Sequence, residues 1–130
     1  MPTPVDETDG RFYVDVSTIP DAGNGLFAKV PLNQGERLEA IGVLVRPDSL
    51  ADRCTGYADQ HKFRAGEYLL IPLGFAGMAN HSTTPNLEKV IEGDRVFLQT
   101  LRPVSAGEEL FFTYSEYAQE RFGLKVTVRG

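Results

Sequence analysis

A chain of 130 residues with 42% apolar and 24% charged residues fits one globular domain with a single core and gives no reason to expect a second. Its formal net charge of −5 disfavours binding along a phosphate backbone, which needs clustered Lys and Arg, so the expected partner is a basic protein or peptide and not nucleic acid. Cys54 is the only cysteine, which excludes an intrachain disulfide and a cysteine-cluster zinc site; no metal is expected, and the thiol itself reads as a small buried side chain.

The first ten residues, "MPTPVDETDG", lack the basic-then-apolar order of a signal peptide, and no apolar run approaches the ~20 residues of a membrane span. A cytoplasmic protein is expected, or a nuclear one in a eukaryotic setting, with no membrane contact. Residues 1–10 read as a flexible tail, 11–122 as the domain and 123–130 as a C-terminal tail.

In "RFYVDV", alternation places Phe12, Val14 and Val16 on one face and predicts a half-buried strand. "DAGNG" turns the chain, and "LFAKV" and "RLEAIGVLV" read as further strands, punctuated by Pro31 and Gly35. Between Asp48 and Phe63 the composition suits one or two brief helical turns, with Asp48 or Ser49 as N-cap. "EYLLIP" is a short strand ended by Pro72, which cannot extend a central ladder. "NLEKVI" and "RVFLQTL" flank "EGD", the spacing of a tight hairpin with Gly93 at positive φ. "PVSAGEELFFTY" reads as turn then strand, and Ser115 caps an expected short helix, "EYAQERF", closed by Gly123. By periodicity Phe111, Phe112 and the run from Leu69 to Ile71 are core.

The stretch "GMANHSTTPNLE" fits neither helix nor strand. Its Asn, Ser, Thr and Pro are turn-formers that bond their own backbone, so it reads either as an ordered loop or as a binding site.

Three motifs occur in order: "GNGLFAKVPLNQGE" (23–36), "ANHSTTPN" (79–86) and "GEELFFTY" (107–114). Together they resemble the SET domain of protein lysine methyltransferases, and "LGFAGMANHSTTPN" looks much like the central segment of compact viral and bacterial SET proteins. The resemblance implies a mainly β fold, the β-clip SET fold, with several short sheets, a C-terminal pseudoknot held by Pro85 and Asn86, and few short helices. It implies methyl transfer from S-adenosylmethionine, leaving S-adenosylhomocysteine, to a lysine ε-amine of a basic peptide such as a histone tail, without metal or covalent intermediate. On this resemblance Tyr114 is the catalytic hydroxyl, and Gly23, Asn24, Gly25, Leu26, Asn80, His81 and Phe122 hold the cofactor. Tyr57, Tyr68 and Tyr117 are the candidate walls of the lysine channel.

The chain departs from the family pattern at Thr113, where many members carry Asp, and at Asn24, where many carry an aromatic residue. It also lacks a cysteine-rich segment after Tyr114 that completes the channel in many relatives, so a homodimer is expected that helps cover the channel or buries the apolar side chains of "YAQERFGLKV". Two other readings of these residues stand beside the enzyme: a SET-like module that binds cofactor or peptide without turnover, and a small β-rich interaction domain with no cofactor.

Overall fold

The computed structural model describes residues 4–114. In chain order its strands are β1 (Phe12–Val16), β2 (Asn24–Ala28), β3 (Arg37–Glu39), β4 (Gly42–Val45), β5 (Phe63–Ala65), β6 (Tyr68–Pro72), β7 (Asn80–His81), β8 (Leu87–Glu92), β9 (Arg95–Thr100) and β10 (Glu109–Phe112). The one α-helix among the described residues, α1 (Leu50–Cys54), is a single turn, and 3₁₀ turns occupy Gly56–Ala58 and Phe75–Met78. The mainly β fold of several small sheets is the one expected. The predicted helix 116–122 lies outside the described residues.

The strands form three sheets, in the orders β1-β2-β10-β7, β3-β9-β8 and β4-β6-β5. The β8–β9 hairpin closes through Gly93 at φ +65°, the conformation its tight loop requires. "RLEAIGVLV" is two strands in two sheets: Ala40 N–H donates to Val96 on β9, while the next carbonyl, of Ile41, accepts from Leu73 beyond β6. The chain changes partners there, a step that local composition cannot signal. All three sheets then feed one core, including Leu26 and Leu110, Leu38 and Leu98, and Phe63 and Leu70. Burial of each such leucine contributes about 1.5–3 kcal/mol.

β1 is an edge strand, and only its Phe12 end is covered; the Phe75 ring packs there, with centroids 6.1 Å apart. Val14 and Val16, expected on a buried face, are 39% and 72% exposed because nothing among the described residues packs over that half of the sheet. Cys54 is exposed, not buried; α1 turns Asp52 inward instead. Ser49 is the N-cap, accepting from the Asp52 N–H. The expected N-terminal tail is tied down at two points: the Glu7 carboxylate accepts from the Phe75 N–H at 2.8 Å, and Asp9 pairs with Arg11 at 2.7 Å.

The arrangement that positions the site is the parallel pairing of β10 with β7, Phe111 beside Asn80 and Phe112 beside His81, while β10's other edge pairs antiparallel with β2. The loop after β7 then lies along the same strand. Asn86 uses both ends of its side-chain amide and both its backbone groups: its Nδ2 donates to the Glu109 carbonyl, its Oδ1 accepts from the Phe111 N–H, its own N–H donates to the Phe111 carbonyl, and its carbonyl accepts from Leu101. Thr113, the departure from the family pattern, donates from Oγ1 to the Ser82 carbonyl at 2.7 Å.

Candidate functional site

The β2 end of the site is built around a buried carboxylate, Glu109. It accepts from Ser17 Oγ at 2.7 Å, from the Thr18 N–H at 2.7 Å, from Thr18 Oγ1 at 2.5 Å and from Asn80 Nδ2 at 3.2 Å. Asn80 Nδ2 also donates to the Asn24 carbonyl at 3.1 Å. One amide thus joins β2, β7 and β10. Gly25 makes this approach feasible, because a Cβ on it would lie 2.3 Å from Glu109 Oε2. Gly23 has φ +74° and open space where a Cβ would project, so its backbone is bare to a ligand.

Leu26, placed by the resemblance among the cofactor contacts, is fully buried in the core and paired with β1 and β10. Its side chain cannot reach a ligand, and Gly25 is buried too, which leaves Gly23 and Asn24 as the exposed part of that motif. Glu109 was not singled out from the sequence. Its partners Ser17 and Thr18 lie about ninety residues away, beyond the reach of any local pattern.

His81 faces the other way from Asn80, as neighbours on a strand do. Its Nδ1 accepts from the Tyr114 N–H at 2.9 Å, which fixes the neutral ring with its proton on Nε2. That Nε2 is buried and has no hydrogen-bond partner among the described residues, and burial lowers the ring's pKa. The ring meets Tyr114 edge-on at 5.1 Å.

Tyr114 is held by Phe112, its ring 5.0 Å away, and its hydroxyl lies 3.4 Å from the Ala79 carbonyl. Burial raises the phenol's pKa and keeps it protonated. It lines a cavity of about 20 Å³, wide enough for one or two water-sized groups, together with Phe63, Ala76, Ala79 and Phe112. The segment 60–64 and Lys89 form the remaining wall. Lys62 is part of it, and its fully buried ammonium is ion-paired with Asp52 at 2.8 Å and Asp59 at 2.7 Å.

Of the candidate channel tyrosines, Tyr57 is 86% exposed and borders an adjoining groove with Leu73 and Met78, which shares His61 and Gly77 with the Tyr114 cavity. His61 Nδ1 lies 2.8 Å from the Gly77 carbonyl, bridging the segments that the two spaces share. Tyr68 sits under the Arg46 guanidinium, 5.4 Å from its ring centre, and does not line the cavity. Tyr117 and Phe122 lie outside the described residues. Among those residues no group of His, Cys, Asp and Glu could hold a metal ion, and no helix is long and apolar enough to cross a membrane.

The sequence profile of the SET domain matches residues 23–115. Among solved structures, the chain is similar to a Plasmodium falciparum protein assigned as a histone methyltransferase, at TM-score 0.65 and 18% identity, covering 84% of this chain and 96% of that one. It is similar also to a humanized mutant of the Chaetomium thermophilum Polycomb Repressive Complex 2 bound to an inhibitor, at TM-score 0.69 and 25% identity, over 81% of this chain. The match spans only 15% of that second, much longer chain. No curated protein sequence matches.

Proposed function

Because the chain belongs to the SET domain family, whose members are generally protein lysine methyltransferases, we propose that it transfers a methyl group from S-adenosylmethionine to a lysine ε-amine of a basic protein. The observation that carries this reading is the placement of Tyr114: a half-buried, protonated phenol in a narrow cavity beside Phe63 and Phe112, tied by His81 to the strand that also presents Asn80. Histone tails are the first substrates to test, since both similar structures belong to proteins named for histone methylation or for a Polycomb complex.

The residues present fit the cofactor. Gly23 offers bare backbone, the Asn80 amide is fixed beside Asn24, and His81 Nε2 is a buried donor without a partner among the described residues. Gly23, Asn24, Gly25, Asn80 and His81 would hold it. When bound, S-adenosylmethionine supplies a methyl group on a positively charged sulfur. The Tyr114 hydroxyl and the Ala79 carbonyl are oxygens that can hold a methyl through weak C–H contacts. Phe63 and Phe112 exclude water from the amine's path, and a wall of aromatic rings and cationic side chains disfavours its ammonium form, so the chain needs no separate general base.

Mass spectrometry of an unfractionated histone mixture, incubated with the protein and S-adenosylmethionine, tests the reading. Methylated lysines are expected; binding of S-adenosylhomocysteine with no methylation would leave the non-catalytic module in front, and no binding at all would favour the interaction domain. We propose in addition that the chain is a homodimer, for which the bare β1 edge with Val14 and Val16 is a suitable face. Light scattering that shows a fully active monomer would sink that part.

A further inference from the structure

The cavity before Tyr114 has cationic side chains in its wall. Lys62, Arg64 and Lys89 line it together with His61, and no carboxylate does among the described residues. Lys62 is held by Asp52 and Asp59. Lys89 differs: its Nζ donates to the Arg64 carbonyl at 3.2 Å, and it takes part in no ion pair among the described residues. An ammonium left without a carboxylate in a partly buried wall is costly, and a fold keeps one where the charge has a use. Lys89's own pKa is pushed down by burial and then by the Arg64 charge, so the wall already disfavours an added proton.

Resting on the methyltransferase reading, we infer that Lys89, which lines the same narrow cavity as Tyr114, is a specificity-determining residue whose positive charge excludes the protonated target lysine and admits the neutral amine. The titratable groups that line the cavity with it are Arg64 of β5, Lys62 and His61 from the chain leading into β5, and the Tyr114 phenol beyond β10. Leu98, its partner on β9, and Phe112 of β10 carry no charge. On its own strand Glu88 is exposed and Glu92 pairs with Arg37. The target amine loses its proton to water before entry. Its nitrogen then forms the N–C bond as the S–C bond breaks, the electron pair stays on sulfur, and the product's extra proton passes to water. Lys89 takes no part in bond making; it selects which protonation state arrives.

The test uses n-butylamine, a lysine side-chain analogue, titrated by NMR into the full chain with S-adenosylhomocysteine present, between pH 7 and 9. Wild type should bind it about tenfold more tightly for each pH unit, because only the neutral form enters. Lys89→Met, which keeps the length and removes the charge, should bind about tenfold more tightly than wild type at pH 7 and show a flatter dependence, while Lys89→Arg follows wild type. Equal slopes in wild type and Lys89→Met, or no binding to either, would overturn the inference. A purely structural role would change affinity without changing the slope. If the slopes behave as expected but histones are never methylated, the methyltransferase reading fails and the charge selection stands; methylation with equal slopes is the reverse.

Discussion

Replacing Glu109 by glutamine probes the junction that ties Asn80 to β2 and β10. The carboxylate is buried and accepts four hydrogen bonds, two at Oε1 from Thr18 and two at Oε2 from Ser17 and Asn80. Glutamine has the same length but one acceptor oxygen, and its amide sets two donors where the other oxygen was. With the oxygen kept toward Thr18, the amide faces Ser17, whose hydroxyl can reverse and accept, and the Asn80 amide, which presents only donors there. One bond is lost, and three change from charge-assisted, about 1.5–3 kcal/mol each, to neutral, about 1 kcal/mol each. Relief of the carboxylate's desolvation offsets part of this, leaving an expected loss of about 2–3 kcal/mol of stability. Urea unfolding followed by circular dichroism measures it, and a calorimetric titration with S-adenosylhomocysteine should show weaker binding because Asn80 keeps only its Asn24 partner. A stability change below about 0.5 kcal/mol with unaltered affinity would show that Glu109 does not organise the site.

Tyr114→Phe should leave S-adenosylmethionine binding nearly intact and lower methyl transfer at least ~100-fold, about 2.7 kcal/mol of barrier, since the ring that packs on Phe112 survives and only the hydroxyl goes; a folded variant with more than half the wild-type turnover refutes the role. Lys62→Met takes the counter-charge from the buried Asp52 carboxylate, which keeps its Asp48 N–H, and should cost about 3–5 kcal/mol by urea unfolding, a loss that Lys62→Met with Asp52→Asn partly recovers; a single variant as stable as wild type contradicts the buried pair. Burial lowers the His81 pKa from its ordinary 6.5, so the unfolded chain takes up this proton first. The stability tied to neutral His81 is therefore full above about pH 6.5 and falls as the pH drops below it, where protonation also removes the acceptor for the Tyr114 N–H. Denaturation midpoints of His81→Gln should fall less steeply between about pH 7 and 5 than those of wild type, and parallel curves would remove His81 as the cause.

Much of the fold was legible where the signal is local. A hairpin needs only "EGD" between two apolar runs, an N-cap only Ser49 before a short helix, and a strand end only Pro72. The three motifs also carried the family, because their order along the chain does not depend on how it folds. Alternation along "RFYVDV" correctly marked a strand but misjudged its burial: whether Val14 and Val16 are covered depends on what packs over an edge strand, and that is supplied by distant parts of the chain. The break in "RLEAIGVLV" was invisible for the same reason, since Ala40 and Ile41 differ in their partners on β9 and beyond β6, not in their own composition.

The site divides along the same line. Tyr114, Asn80 and His81 were named from motif position alone; in the structure Asn80 meets Asn24 and Gly25 at the junction of β2, β7 and β10, while His81 meets Tyr114 on the opposite side of β7. Only the tertiary fold shows that Glu109 is the shared acceptor beneath Asn80, that Leu26 belongs to the core, and that Lys62 and Lys89 border the Tyr114 cavity. These roles are relations between residues far apart in sequence. A carboxylate or an ammonium in a sequence has no intrinsic role until folding decides whether its neighbours are water, an opposite charge or nothing, and the desolvation that makes the difference exists only once the three sheets close on one core.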